Sequence, residues 1–170
     1  MKIPSKEECV KILKQNNVPD NIIAHTRAVC DFSMKVCDLL EKRVIKINRN
    51  LVAAASLLHD VKKLAPREHE IEGAGYISSL GYAEVGILIK KHGLKHLFED
   101  EFMPKTWEEK IVFYADKRVT NDRIVSVDER FEYIKQRYFR PATKDLNKNI
   151  EQELKFTKKI EKVLLGKEKL

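Results

Sequence analysis

"LLHDVKK", residues 57–63, sets an imidazole and a carboxylate side by side at the end of an apolar run, with two lysines behind them. The preceding "LVAAAS", residues 51–56, reads as a helix closing on a core. Buried ionisable groups are costly unless they are paired, hydrogen-bonded or bound to a metal. Either His59 and Asp60 stand harmlessly at the surface, or something at that point offsets the cost. The flanking sequence decides between the two, because it shows whether similar residues stand on other core faces.

Start and stop signals for helices dominate the chain. "SKEE" at 5–8 is a capping box that opens a short first helix, which Asn16, Asn17 and Pro19 end. Over 20–43 apolar residues recur at Ile22, Val29, Phe32, Val36, Leu39 and Leu40, a helical period. Asn48 or Asn50 caps a third helix, expected to reach Leu64 before Pro66. A fourth is expected over 67–80, stopped by Gly81, and a fifth over 83–92, stopped by Gly93. "TWEE" at 106–109 is a second capping box and opens a sixth helix predicted to run to about Val119. A seventh spans 127–138 before Pro141. From Thr143 on, Leu146, Ile150, Leu154, Ile160 and Leu164 recur among lysines and glutamates, an amphipathic helix that packs on the body or on a partner. No repeat, linker or hairpin signal stands out. The expectation is all-α: a helical domain over 1–140 with an amphipathic helical extension over 141–170.

Length and composition agree. The 170 residues suffice for one domain with a real core, and 43% hydrophobic with 35% charged residues describes a globular chain with a heavily solvated surface. No apolar run is long enough to span a bilayer, and the opening "MKIPSKEECVKIL" lacks the apolar centre of a secretion signal, so the expected location is cytoplasmic, with no membrane partner. Cys30 and Cys37 are about 10 Å apart along a helix, too far to bridge, and no cysteine pair has ligand spacing. A net charge of +7 favours anionic partners without choosing among them.

Other ionisable residues do fall on apolar stripes. His25 shares a face with Val29, Phe32 and Val36; Asp60 with Ala53, Leu57 and Leu64; His92 with Val85, Leu88 and Ile89; Asp116 with Val112, Phe113 and Val119. His59 lies beside Val52, Ala55 and Ser56. One histidine so placed is ordinarily a hydrogen-bonded core residue. Three histidines and two aspartates together form a donor set that borderline divalent metals take. His69, with Glu72, Gly73 and Tyr76 around it, fits a surface or helix-start position, although a turn at Pro66 would fold it back toward the dyad. His96 is expected to face solvent.

In order, the segments "IIAHTRAV", "AAASLLHDVKKL", "REHEIEGAGYI", "ILIKKHGL" and "IVFYADKRV" resemble the HD-domain superfamily of metal-dependent phosphohydrolases over roughly residues 20–140. The likeness in length and in "YADK" is greatest to the small stand-alone branch that includes symmetrical dinucleoside tetraphosphatases. It implies one or two divalent ions, iron or manganese first, with magnesium, cobalt, nickel or zinc as alternatives. His25, His59, Asp60 and Asp116 would bind the first; His69 and His92 would bind the second, with Asp60 bridging. The family often has glycine and lysine after the HD-hydrophobic triplet; here Lys62 replaces the glycine and Lys63 keeps the lysine.

A metal so held makes hydroxide available near neutral pH and polarises a phosphoryl oxygen. Asp60 and Lys63 are the catalytic candidates; Lys63 and Arg118 are the candidate phosphate ligands, while Arg123 reads as a solvated surface cation. The expected function is hydrolysis of a phosphate ester or anhydride of a small nucleotide-like substrate. The alternatives are a diiron oxygenase on the same fold and a non-catalytic nucleotide or nucleic-acid binding module. The last ranks third, because Phe156 is the tail's only aromatic and nucleic-acid grooves interleave aromatics with basic residues. A homodimer is compatible with the sequence.

Overall fold

The longest apolar stripe of the sequence becomes the axis of the molecule. The computed structural model describes residues 1–65, 68–138, 144–168 and 170, the side chains of 138 and 144–148 excepted. Its elements are α1 (Lys6–Gln15), α2 (Asp20–Lys42), α3 (Arg49–Leu58), α4 (His69–Ser79), α5 (Ala83–Lys90), α6 (Trp107–Asp116), β1 (Val119–Thr120), β2 (Arg123–Ile124), α7 (Val127–Tyr138) and α8 (Lys144–Leu165). The all-α expectation holds. Val29, Phe32, Val36 and Leu40 of α2 are fully buried, and the helix packs against α3, α6 and α8. Helices α4 and α5 form a hairpin against α3, and Gly86 permits it: a Cβ there would lie 2.7 Å from the Ala74 carbonyl oxygen and 2.3 Å from Ser78 Oγ.

Both capping boxes form. Ser5 Oγ accepts from Glu8 N–H and Thr106 Oγ1 from Glu109 N–H, with each glutamate reaching back to the cap. Asn48 caps α3 by accepting from Leu51 N–H. That helix ends at Leu58, six residues before the expected end. Beyond it, Val61 N–H donates to Leu58 O and Lys63 N–H to Asp60 O, so tight three-residue turns replace the helical ladder. The sixth helix likewise stops at Asp116, and Val119 enters a hairpin whose turn holds Asn121 at φ 55°. Its strands have two residues each, too few for an alternating pattern to show in the sequence. Pro66, Arg67, Pro141, Thr143 and the Leu146 side chain lie outside the described residues.

Helix α8 packs on the body, against α2, α6 and α7. Its buried stripe is Ile150, Glu153, Thr157, Ile160 and Leu164; Leu154 is only partly buried. Among the described residues no helix is long and apolar enough to cross a membrane. The three cysteines are free and buried, and burial pushes their thiols up to between about 11 and about 12.

Candidate metal centre

Five helices and the turns that follow them deliver ionisable side chains to one point. His25 comes from α2, His59 from the C-cap of α3, Asp60 from the turn after it, and Asp116 from the last residue of α6. His92 follows α5, and His69 opens α4. His25, His59, Asp60, His92 and Asp116 are all buried, and His59 is fully so. The ring centroids form a chain: His25 to His59 at 5.3 Å, His59 to His92 at 4.9 Å, His92 to His69 at 5.3 Å.

The orientation of the rings carries the chemistry. His25 Nδ1–H donates to Asn121 O at 2.6 Å, His59 Nδ1–H to Ser56 O at 2.8 Å, and His92 Nδ1–H to Ile89 O at 2.6 Å. A neutral imidazole that spends its proton at Nδ1 presents a lone pair at Nε2. Those three Nε2 atoms meet carboxylate oxygens: His25 to Asp116 Oδ1 at 3.1 Å, His59 to Asp60 Oδ2 and Asp116 Oδ1 at 3.7 Å each, His92 to Asp60 Oδ1 at 3.6 Å. Lone pairs facing lone pairs in a buried space are costly unless positive charge, from a proton or a metal ion, lies between them. His59 Nε2 has no hydrogen-bond partner among the described residues. His25, His59 and Asp116 bring three donor atoms within 4.8 Å of one another, and so do His59, Asp60 and His92. The donors, all nitrogen and carboxylate oxygen, suit borderline divalent ions. The residues present fit the metal.

His69 does fold back to the dyad. Its Nε2 lies 3.2 Å from Asp60 Oδ1, and its Nδ1 lies 3.2 Å from Glu70 Oε2. Glu70 is buried on the α4 face that carries Gly73, Ala74 and Ile77, and Gly93 makes room for it: a Cβ there would lie 2.6 Å from its Oε1. Lys63 Nζ stands 3.3 Å from both Asp60 Oδ1 and His69 Nε2, with a third of its side chain exposed.

Burial alone would favour the neutral acids, yet both aspartates are held well below the usual carboxylate range. At Asp60 the His59, His69 and His92 imidazoles and the Lys63 ammonium oppose burial; at Asp116 Lys117, the His25 and His59 imidazoles and Arg130 do. Burial lowers His92 to about 4 despite the bond to Asp60, which leaves the ring neutral. At His25 burial is outweighed by Asp116, and the ring is raised.

Arg118 is a correction. Its guanidinium is spent away from the cluster, donating to Val125 O at 2.6 Å, Tyr114 OH at 2.5 Å and Leu170 O at 2.6 Å, and pairing with Glu161. Besides Lys63, the cations that reach the cluster among the described residues are its neighbour Lys117 and, from α7, Arg130. Lys117 Nζ donates to Asp116 Oδ2 at 2.6 Å and His92 O at 2.7 Å; Arg130 Nη2 lies 3.5 Å from Asp116 Oδ1. The sequence held a signal for Arg130, which shares the buried face of Val127 and Ile134. Arg123 is exposed, as expected. His96 does not face solvent freely; it pairs with Glu68 and Glu99 against the Phe102 ring.

The sequence profile of the HD domain matches residues 22–121, well over half the chain and every residue of the cluster. The chain belongs to the HD domain family. Similar proteins include a tRNA (cytidine(56)-2′-O)-methyltransferase of Picrophilus torridus, 31% identical over 140 residues, and one of Thermoplasma volcanium, 25% identical over 140 residues. In both, 75% of this chain matches 40% of the methyltransferase, so the chain spans well under half the length of those relatives. An uncharacterised protein of Methanocaldococcus jannaschii is 25% identical over 77% of this chain and 85% of its own. The fold matches the crystal structure of a protein described as a predicted HD superfamily hydrolase, from an uncultured Thermotogales bacterium. Its TM-score is 0.52 at 22% identity, covering 97% of this chain and 94% of that one.

Proposed function

We propose that this HD-domain chain is a metal-dependent phosphohydrolase that cleaves a phosphate ester or anhydride of a small nucleotide-like substrate. The observation that carries the reading is the convergence of three Nδ1-anchored imidazoles on two buried carboxylates, with His59 Nε2 without a hydrogen-bond partner among the described residues. A divalent ion held there would make hydroxide available near neutral pH and polarise a phosphoryl oxygen. In this reading His25, His59, Asp60 and Asp116 hold the first ion. Asp60 turns its other oxygen toward His69 and His92, which hold a second where two are bound. Lys63, beside Asp60 and reaching solvent, meets the phosphate. Lys117 is buried and serves Asp116, holding its Oδ2 so that Oδ1 faces His25 and His59. Buried free thiols suit a reducing, cytoplasmic compartment.

The test is elemental analysis of the purified chain, followed by phosphate release from nucleoside mono-, di- and triphosphates and dinucleoside tetraphosphates. His59→Ala and Asp60→Ala are each expected to lose metal and to cut turnover by more than about 100-fold, beyond the loss typical of a residue that only orients a ligand. Unchanged metal content and turnover in both variants would refute the reading. Two irons with oxygen consumption and no phosphate release would point to an oxygenase instead. The partial likeness to two tRNA methyltransferases favours a second reading, a tRNA-serving module with a net charge of +7; tight tRNA binding without hydrolysis would select it.

A further inference from the structure

A cleft of about 300 Å³ opens beside Asp60 and Lys63, where the α1–α2 turn faces the loop after the dyad. Six of its twelve lining residues are apolar, among them Val18, Pro19, Ile22 and Leu64, and Leu64 is 71% exposed. Asn17 and Glu72 supply polar atoms, and the Glu72 carboxyl has no hydrogen bond or ion pair among the described residues. Glu72 stands three residues beyond His69 on α4, so it shares that face about one turn, roughly 5 Å, away. One wall is fixed in advance. Lys62 Nζ donates to Asn16 Oδ1 at 2.7 Å and lies over the Tyr76 ring, while Asn16 Nδ2 donates to Tyr76 OH at 2.9 Å. The lysine that replaces the family's frequent glycine thus leaves the dyad and braces the cleft.

The chemistry of the walls narrows the occupant. A sugar would bury hydroxyls against Val18, Pro19 and Ile22, which cannot answer them. The volume sits at the small end for ligand sites, enough for one compact group. A flat heteroaromatic ring has apolar faces for those residues and a donor edge for a carboxylate. We propose that this cleft takes the nucleobase of the substrate, one bearing an exocyclic amine, and that Glu72 is the residue selecting it. The placement of the phosphate, at Asp60 and Lys63, rests on the phosphohydrolase reading; the base subsite rests on the cleft itself.

Calorimetric binding to the full purified chain tests it with three probes: adenosine 5′-monophosphate, purine riboside 5′-monophosphate (the same ring without the amine) and inorganic phosphate. The wild type is expected to bind the amine-bearing nucleotide about tenfold or more tighter than its amine-free analogue, the scale of a hydrogen bond to a charged group. Glu72→Met removes that difference. Ile22→Trp, which fills the cleft, narrows the gap between either nucleotide and phosphate; thermal unfolding checks that each variant folds. Equal affinity for the two nucleotides in the wild type, or a preference that survives Glu72→Met, overturns the proposal. The two readings fail separately. Base-selective binding without phosphate release from any substrate leaves the subsite standing and removes the hydrolase; phosphate release without base selectivity does the reverse.

Discussion

Lys117 is an ammonium with 3% exposure, held by Asp116 Oδ2, the His92 carbonyl and the face of Phe113. Removing one partner of a buried pair strands the other, which is why such losses are large. Lys117→Met is expected to destabilise the metal-stripped protein by about 3 kcal/mol. The cost should be smaller with metal bound, because a cation at Oδ1 then neutralises the same carboxylate; denaturant unfolding with and without chelator reads the difference. Glu153 has the opposite character. It lies on the buried stripe of α8, and burial lifts its carboxyl to about 7, with Lys117 opposing. A folded-state value above the unfolded one means the native state binds the extra proton between pH 4.5 and 7, so stability falls as pH rises through that window. Glu153→Gln should flatten that fall and stabilise the protein above pH 7 by about 1–2 kcal/mol, read from melting curves between pH 5 and 8. Neither residue was legible in the sequence, and the reason is common to both. Charged side chains at helix ends or in lysine-rich stretches ordinarily face water, whereas histidines and aspartates amid valine and leucine declare themselves. Arg118 misled differently: its neighbours Asp116 and Lys117 turn inward, while its own side chain serves α8.

Elements were legible where a local hydrogen bond defines them. Each capping box has a fixed four-residue spacing, and both predicted helix starts hold. Thr106 opens the helix that ends in Asp116, and Glu109, 5% exposed, takes the Lys105 and Thr106 amides and the Lys91 ammonium. Thr106→Ala should cost about 1 kcal/mol, the usual worth of a lost cap. Glu109→Ala should cost more, about 2–3 kcal/mol, since it leaves the partly buried Lys91 unpaired and two amides without their acceptor as well. Equal small losses in chemical denaturation would mean that the Lys91 pair is worth nothing. Helix ends were read less well, because the signal there is an absence. Val61 and Leu64 continue the helical period past Leu58, yet the backbone leaves it and the His59 ring takes the Ser56 carbonyl. That early end is what puts both members of the dyad inside. The hairpin after α6 has its own use: it places the Asn121 carbonyl that fixes the His25 ring.

At the scale of the whole molecule, the centre is assembled from parts far apart in the chain. His25 and Asp116 are 91 residues apart and meet only when α2 and α6 pack. Helix α8 closes the back of that packing: Arg118 and Tyr114 of the α6 region bind its Glu161, and Arg43 at the end of α2 donates to its Leu164 carbonyl. In the absence of metal, the cluster gathers two carboxylates and four imidazoles, and among the described residues Lys63, Lys117 and Arg130 are the cations that offset its carboxylates. Folding and metal binding are therefore linked, since an unfolded chain does not present the ligands together. A ligand at 100 times its dissociation constant adds about 2.7 kcal/mol to native-state stability, which for a chain of this length is about 5–10 °C in melting temperature. Adding manganese or iron(II) to the chelator-treated protein is expected to give a rise of that size. His59→Ala, lacking the nitrogen shared by both three-donor groups, should show almost none. The same rise in the variant would mean that the stabilising ion binds elsewhere, and that the buried dyad is compensated by its lysines and arginine alone.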